Sequence, residues 1–497
     1  MSAVEPEIVA GSLGDRAASA ARWAVVQRWG SRGLNFVFFV LLARLLDPTA
    51  IGVVALASGF IAFLQLFAQL GIGDAVVQKR SLDELDRDSA FWLTLISSLV
   101  VSILVLLGAS PVSRAVSEPA LDGVLKGLAV TLPLAGLACI HEAIIQRELR
   151  FEKLAVRYLV SYLAGGLVGV TAAASGYGVW SLVAKSVVES VIGTVLVWRL
   201  SDWRPRLVFS TQRVKQLWAF GGSMTASRLV DFVNQWAGNW IVGLQLGMSQ
   251  LGLYSVGQRS YLAGMDALQS TGAAVMLPAL ARVQHDAQRS ARGFLRAVRL
   301  TAAIAFPVFA GLGVLSSELV PLVFGEQWRE ASTVLTIFCC GAILFSVSHY
   351  NSLAFYAMGR ADWYLRWVAA NTCIGVVALL VGARWGPVGV AVAYVGSRCI
   401  MLPAGWWLTR KLVPFTTTGY LRSVVPSALG SGALVATISL AGEFEASLPT
   451  PMSLAVKIVL GGGVYILVLG LTAPKLVREL RELLGTTLPR NQANTSG

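Results

Sequence analysis

Long apolar runs, each near the length needed to cross a lipid bilayer, alternate along this chain with short segments of charged residues, proline and glycine. A helix needs roughly 20 mostly apolar residues to traverse the hydrocarbon core. That ruler places fourteen spans, at about 23–46, 50–71, 90–110, 121–144, 157–174, 177–198, 216–242, 250–280, 297–315, 332–354, 364–382, 387–408, 423–441 and 453–473. Several breaks carry recognisable stops: DPTAIG after the first span, SGYG after the fifth, RWGP after the eleventh. Helices satisfy their own backbone groups in lipid, so the expected fold class is all-α and integral to the membrane, with about 14 transmembrane helices.

The polar segments between the spans carry a second signal. With the N-terminus placed inside, 28 Lys and Arg fall on inner segments and 5 on outer ones, with the remaining 7 of the 40 inside spans. Inner loops of membrane proteins collect Lys and Arg. The alternation therefore predicts a multi-pass protein with both termini cytoplasmic, and it accounts for the net charge of +13 without nucleic acid. Composition adds little beyond this: 55% of the residues are hydrophobic, only 13% are charged, and mean hydropathy is +0.67. The first 21 residues hold no apolar stretch ending in a small-residue cleavage site, so the first run is expected to be a permanent span. All five cysteines sit in apolar runs without a C-x-x-C spacing, which suits small core residues better than a metal site.

An internal repeat is visible. Residues 28–57 laid over 228–257 match Arg28 with Arg228, Leu46 with Leu246 and Gly52 with Gly252, and set Asn35 against Gln235. Arg157 and Arg366 open the fifth and eleventh spans, 209 apart, and Gly178 and Gly389 open the sixth and twelfth, 211 apart. Six spans separate each pair, so the halves would run parallel, an arrangement known in transporters. The expected division is a cytoplasmic tail at 1–21, six-helix lobes at 22–205 and 206–412, two further helices within 413–474, and a cytoplasmic tail at 475–497.

Seven cations lie inside spans: Arg28, Arg32, Lys185, Arg228, Arg259, Arg398 and Lys457. A charge near the bilayer centre costs about 2.5–3.5 kcal/mol on insertion scales, so each needs a reason. Lys457 stands close enough to the outer interface to be expected to snorkel. Spacings of three, four and seven put Arg28, Arg32 and Asn35 on one face of the first helix, and Arg228, Asp231 and Asn234 or Gln235 on one face of the seventh. Arg259 and Asp266 share a face of the eighth, and Lys185 and Glu189 stand one turn apart in the sixth. The competing reading is that Arg228–Asp231 and Lys185–Glu189 are neutral packing pairs within one helix. Arg28 and Arg32 have no acid three or four residues away. Asp231, Asp266 and Glu189 are candidates for binding a coupling proton or sodium ion. His141, beside Glu142 at the inner end of the fourth span, is expected to cap that helix or face water.

Seven segments in order, ARLLDPTAIGVVALA, DWRPRLVFS, LWAFGGS, LGLYSVGQRS, MLPALARVQHD, LVPLVFGEQWREAS and AMGRADW, resemble the polysaccharide transporter branch of the multidrug/oligosaccharidyl-lipid/polysaccharide exporter superfamily, the Wzx-type oligosaccharide flippases. The likeness runs from about residue 20 to 410. It implies a bacterial inner membrane and movement of an undecaprenyl-diphosphate-linked oligosaccharide to the outer leaflet, for exopolysaccharide, O-antigen/lipopolysaccharide or capsule biosynthesis. It also implies that the first, second, seventh and eighth helices line a central cavity. Arg28, Arg32, Arg228, Arg259, Arg398 and Lys185 would then form a cationic lumen for the diphosphate, with Asn35, Asn234 and Gln235 as its polar lining. Arginine meets phosphate with two parallel donors while staying charged. Partners so implied are membrane lipids and the polymerase and glycosyltransferases of the same pathway. No metal cluster, nucleophile–base pair or cofactor motif stands in the sequence, so the expectation is a transporter without cofactor and not an enzyme. A drug exporter of the same superfamily is the alternative, but organic cations call for an acidic cavity; a membrane polymerase or ligase would need a larger outer loop.

Overall fold

A computed structural model describes residues 5–79, 81–282, 286–441 and 449–486. Arg80, Arg490, the first four residues and the chain from 487 onward, which figure in the counts and tails above, lie outside them. Among the described residues the chain forms eighteen α-helices and no strand. They are α1 (Glu5–Leu45), α2 (Pro48–Gln69), α3 (Ile72–Gln78), α4 (Glu84–Val116), α5 (Pro119–Ala129), α6 (Thr131–Arg147), α7 (Phe151–Ala174), α8 (Val179–Leu200), α9 (Thr211–Leu246) and α10 (Met248–Arg282). After these come α11 (Ala287–Val314), α12 (Ser316–Phe324), α13 (Ala331–Ala357), α14 (Ala361–Gly382), α15 (Gly386–Leu412), α16 (Thr417–Ala441), α17 (Thr450–Thr472) and α18 (Pro474–Thr486). By length and apolar composition, ten stretches of these helices can cross a membrane, counting α5–α6 as one and Asp362–Leu412 as one. The chain is a multi-pass membrane protein, all-helical among the described residues.

The helices divide into two compact units, one built from Met1–Ser255 with Val323–Gln327 and Leu379–Val390, the other from Val256–Leu322, Trp328–Ala378 and Ala391–Gly497. In the first unit the stops read from sequence act physically. Asp47 caps α2, its carboxylate accepting the Ala50 N–H at 2.8 Å, and Pro48 follows at the first turn, where its missing donor costs nothing. Gly176 and Gly178 close α7 at φ +84° and +52°, a backbone region that side chains disfavour.

The fourth span is two helices. Pro133 has no N–H to give the Ala129 carbonyl, and the helix breaks at Val130. The freed carbonyl is taken by the Ser102 hydroxyl of α4 at 2.9 Å, in a buried position. Close packing elsewhere in this unit depends on small residues. A Cβ on Gly165 of α7 would collide with Glu189 of α8, and one on Gly166 would collide with Phe38 of α1, so α7 lies between α1 and α8 on glycine faces. The starts of α2 and α10 approach still more closely. A Cβ on Gly52 would overlap the Met248 carbonyl, and one on Gly252 would overlap the Pro48 carbonyl. A shift of 200 residues carries each of these contacts onto the other.

The linker from α8 to α9 is docked on the first turns of α4. Asp88 accepts the Arg206 N–H at 3.1 Å, Ser89 accepts the Ser210 N–H at 3.0 Å, and the Trp92 indole donates to the Arg206 carbonyl at 2.7 Å. Asp202 ties the same linker to the start of α7, with Arg150 at 2.8 Å and Lys153 at 3.7 Å. The Arg150 guanidinium bonded to Asp202 holds that carboxyl below the ordinary range, helped by the Lys153 charge.

In the second unit the same proline logic joins α11 to α17. Pro307 leaves the Ala303 carbonyl without its helical donor, and the buried Tyr465 hydroxyl donates to it at 2.7 Å. Lys457 does not snorkel. Its ammonium is 2.7 Å from Glu318 of α12, with the lysine side chain only 8% exposed, because a buried cation needs a carboxylate when it cannot reach water. Trp328 is fully buried.

Candidate substrate-binding site

In the first unit, Arg28, Arg32 and Asn35 are all exposed on α1. Arg28 has no carboxylate partner among the described residues. One turn separates the two arginines, so both guanidinium groups project from the same face. On α9, Arg228, Asp231 and Gln235 are exposed and Asn234 is half-buried.

Arg228 does not pair with Asp231. Its partner is Asp74 on α3, a seven-residue helix that hydropathy alone reads as a loop. Asp74, which lies outside the fourteen spans read from sequence, offsets Arg228.

Lys185 and Glu189 do form a pair within α8, at 2.7 Å, with side chains 12% and 17% exposed. The lysine also reaches the Asn35 side-chain carbonyl at 3.4 Å, which links α8 to the polar face of α1. The absence of side chains at Gly165 and Gly169 lets this pair lie against α7. Lys185, Glu189 and Asn35 are thus brought together, and the pair is nearly neutral.

A second polar cluster escaped the sequence reading. Arg157 was counted as a cation at the inner end of the fifth span. Its guanidinium in fact lies 2.7 Å from Glu142, donates to the Gly193 carbonyl at 3.1 Å, and sits 4.6 Å over the Tyr158 ring. The Tyr158 hydroxyl donates to Glu142 at 3.0 Å. The i to i+1 adjacency of Arg157 and Tyr158 was visible, but Glu142 lies on a different helix. His141 neither caps nor faces water. It is fully buried against the rings of Trp198 and Trp203, at 4.6 and 5.1 Å between centroids.

The second unit holds the remaining residues. Arg259 is exposed and Asp266 half-buried, seven positions apart on α10. Arg398 of α15, half-buried, stacks its guanidinium over the Tyr394 ring at 4.5 Å and near Phe345 at 5.7 Å, a favourable contact for a cation. No group of three metal-ligating side chains occurs among the described residues.

Two relatives align over nearly the whole chain. The succinoglycan biosynthesis transport protein ExoT of Rhizobium meliloti (strain 1021) is 25% identical over 472 residues, covering 94% of this chain and 95% of its own. The lipopolysaccharide biosynthesis protein WzxC of Escherichia coli (strain K12) is 26% identical over 455 residues, covering 91% and 89%. Among solved structures, the lipid II flippase MurJ in an inward closed conformation shares the fold with a TM-score of 0.76 at 14% identity, covering 92% of this chain and 100% of that one. Residues 41–333, more than half of the chain, match the family described as polysaccharide biosynthesis protein, and the chain belongs to that family, as the resemblance carried by its motifs implied.

Proposed function

We propose that this protein is a flippase that moves an undecaprenyl-diphosphate-linked oligosaccharide repeat unit from the cytoplasmic to the periplasmic leaflet of a bacterial inner membrane, for exopolysaccharide, O-antigen or capsule biosynthesis. The printed roles of the relatives, succinoglycan transport and lipopolysaccharide biosynthesis, support a polymer-building pathway. In this reading the chain crosses the membrane fourteen times with both termini cytoplasmic, as two six-helix lobes at 22–205 and 206–412 and two further helices within 413–474.

The observation that carries the proposal is the cationic face of α1. Arg28 and Arg32 stand exposed one turn apart on a helix of membrane-crossing length, and Arg28 has no carboxylate partner among the described residues. A guanidinium costs several kcal/mol in hydrocarbon and much less in a wet lumen, so such a face belongs to a water-filled path that receives an anion. Two arginines suit a diphosphate, whose oxygens accept paired donors. Arg228 contributes with its charge shared by Asp74, while Arg259 and Arg398 supply further cations on the second unit. Lys185 and Glu189 serve to position Asn35. Asp231, Asp266 and Glu189 are the carboxylates available for a coupling ion.

The test uses cells lacking the gene. Lipid-linked oligosaccharides are extracted, identified by mass spectrometry, and assayed for cleavage by a membrane-impermeant periplasmic glycosidase. The expected result is a build-up of the full repeat unit, protected from the enzyme. An accessible build-up would instead indicate a polymerase step, and no build-up would indicate another cargo.

A further inference from the structure

The last three helices enclose a groove that the transport reading does not use. It lies in the second unit where α17 gives way to α18, between α16, α11 and the start of α18, with a volume of about 600 Å³. Its floor is apolar, formed by Leu421, Val425 and Leu429 of α16, which expose 53%, 43% and 55% of their surface. Its rim is cationic: Arg299, Arg422 and Lys475. Glu479 neutralises part of that rim, since it pairs with Arg296 and lies 2.6 Å from Arg299. Arg422 and Lys475 are exposed and have no ion-pair partner among the described residues.

The position of the groove is set by the chain itself. α17 is a membrane-length apolar helix, and Pro474 ends it, leaving α18 with charges at Lys475, Arg478, Glu479, Arg481 and Glu482. The groove therefore spans the boundary between hydrocarbon and headgroup, apolar on one side and basic on the other. Pro426 adds a polar element, because it cannot donate to the Arg422 carbonyl one turn earlier.

From this we infer that the groove binds one anionic phospholipid. The phosphodiester is held by Arg422 and Lys475, an acyl chain lies over Leu421, Val425 and Leu429, and a headgroup hydroxyl donates to the carbonyl that Pro426 leaves open. Charge complementarity selects this occupant: a zwitterionic lipid would bring its own cation against two unpartnered ones. The inference requires only that the chain spans a membrane, and stands whatever substrate is transported.

Native mass spectrometry of the full chain in detergent tests it, with phosphatidylglycerol and phosphatidylcholine of identical acyl chains as probes. Each basic side chain near a charged lipid surface contributes a several-fold factor, so wild type should retain phosphatidylglycerol about tenfold or more over phosphatidylcholine. The double variant Arg422→Gln/Lys475→Gln should lose that preference while its melting temperature stays at the wild-type value. Val425→Trp, which fills the floor and leaves the rim intact, should reduce retention of both lipids. Equal retention of the two lipids by wild type would overturn the inference, as would a preference unchanged in both variants. Stronger retention of undecaprenyl phosphate than of phosphatidylglycerol would overturn the phospholipid assignment and give the groove to the carrier lipid.

Discussion

Residue by residue, what decides the chemistry is which buried or membrane-level charge has a partner and which does not. Lys457 meets Glu318 and Arg157 meets Glu142, so these cations are structural. Arg28 is the contrast. Arg28→Ala is expected to abolish transport, seen as accumulation of the protected lipid-linked repeat unit, while the amount of protein in the membrane stays unchanged. Full activity of an Arg28→Ala/Arg32→Ala variant would sink the assignment of α1 as the anion-receiving face. The surface clamp at Asp202 gives a different, pH-dependent prediction. Its carboxyl is held below the ordinary range by Arg150, so its contribution is fully present above the unfolded value, about pH 4, and is lost only as pH falls through the depressed one. The melting temperature of the purified protein should therefore show no step from this group between about pH 5 and 8, and Asp202→Asn should narrow any loss seen below about pH 4.

Helices were easier to read than the contacts between them. An apolar run of bridging length is a local property, and ten stretches of the described helices carry one. The break in the fourth span was half-legible. Pro133 announces a missing donor to Ala129, but only the fold reveals that Ser102, on another helix, supplies the replacement. Asp74 was illegible for a related reason. It lies on a helix of seven residues, too short to show a period, and its pairing with Arg228 spans more than 150 positions. The burial of Trp328 is illegible too, because a tryptophan near a span end looks the same in sequence whether it faces headgroups or a packed core. The Ser102–Pro133 arrangement yields an element-scale test. Ser102→Ala leaves a buried carbonyl without a donor and should cost about 1–3 kcal/mol. In a Pro133→Ala background the restored N–H takes over, so the same change should cost much less. Thermal unfolding of the four proteins of this double-mutant cycle measures the difference, and strict additivity would refute the exchange of donors.

For the molecule as a whole, the 200-residue repeat gave the pairing of Gly52 with Gly252 from sequence. What it did not give was that each glycine packs on the residue one turn before the other, Gly52 on Met248 and Gly252 on Pro48. Gly52→Ala and Gly252→Ala should each lower stability, by comparable amounts, because each forces a methyl group against a backbone carbonyl that cannot yield. Matching losses in melting temperature are expected, and tolerance at one position alone would deny the equivalence.

That reciprocity has a mechanical consequence. When residue i touches j′ and j touches i′, the contact is of the kind made by two identical subunits about a two-fold axis. Each helix start is at once knob and socket: Met248 fills the hollow left at Gly52, and Pro48 fills the one at Gly252. The two helices are therefore latched twice over, and a side chain placed at either glycine would lever both latches open together.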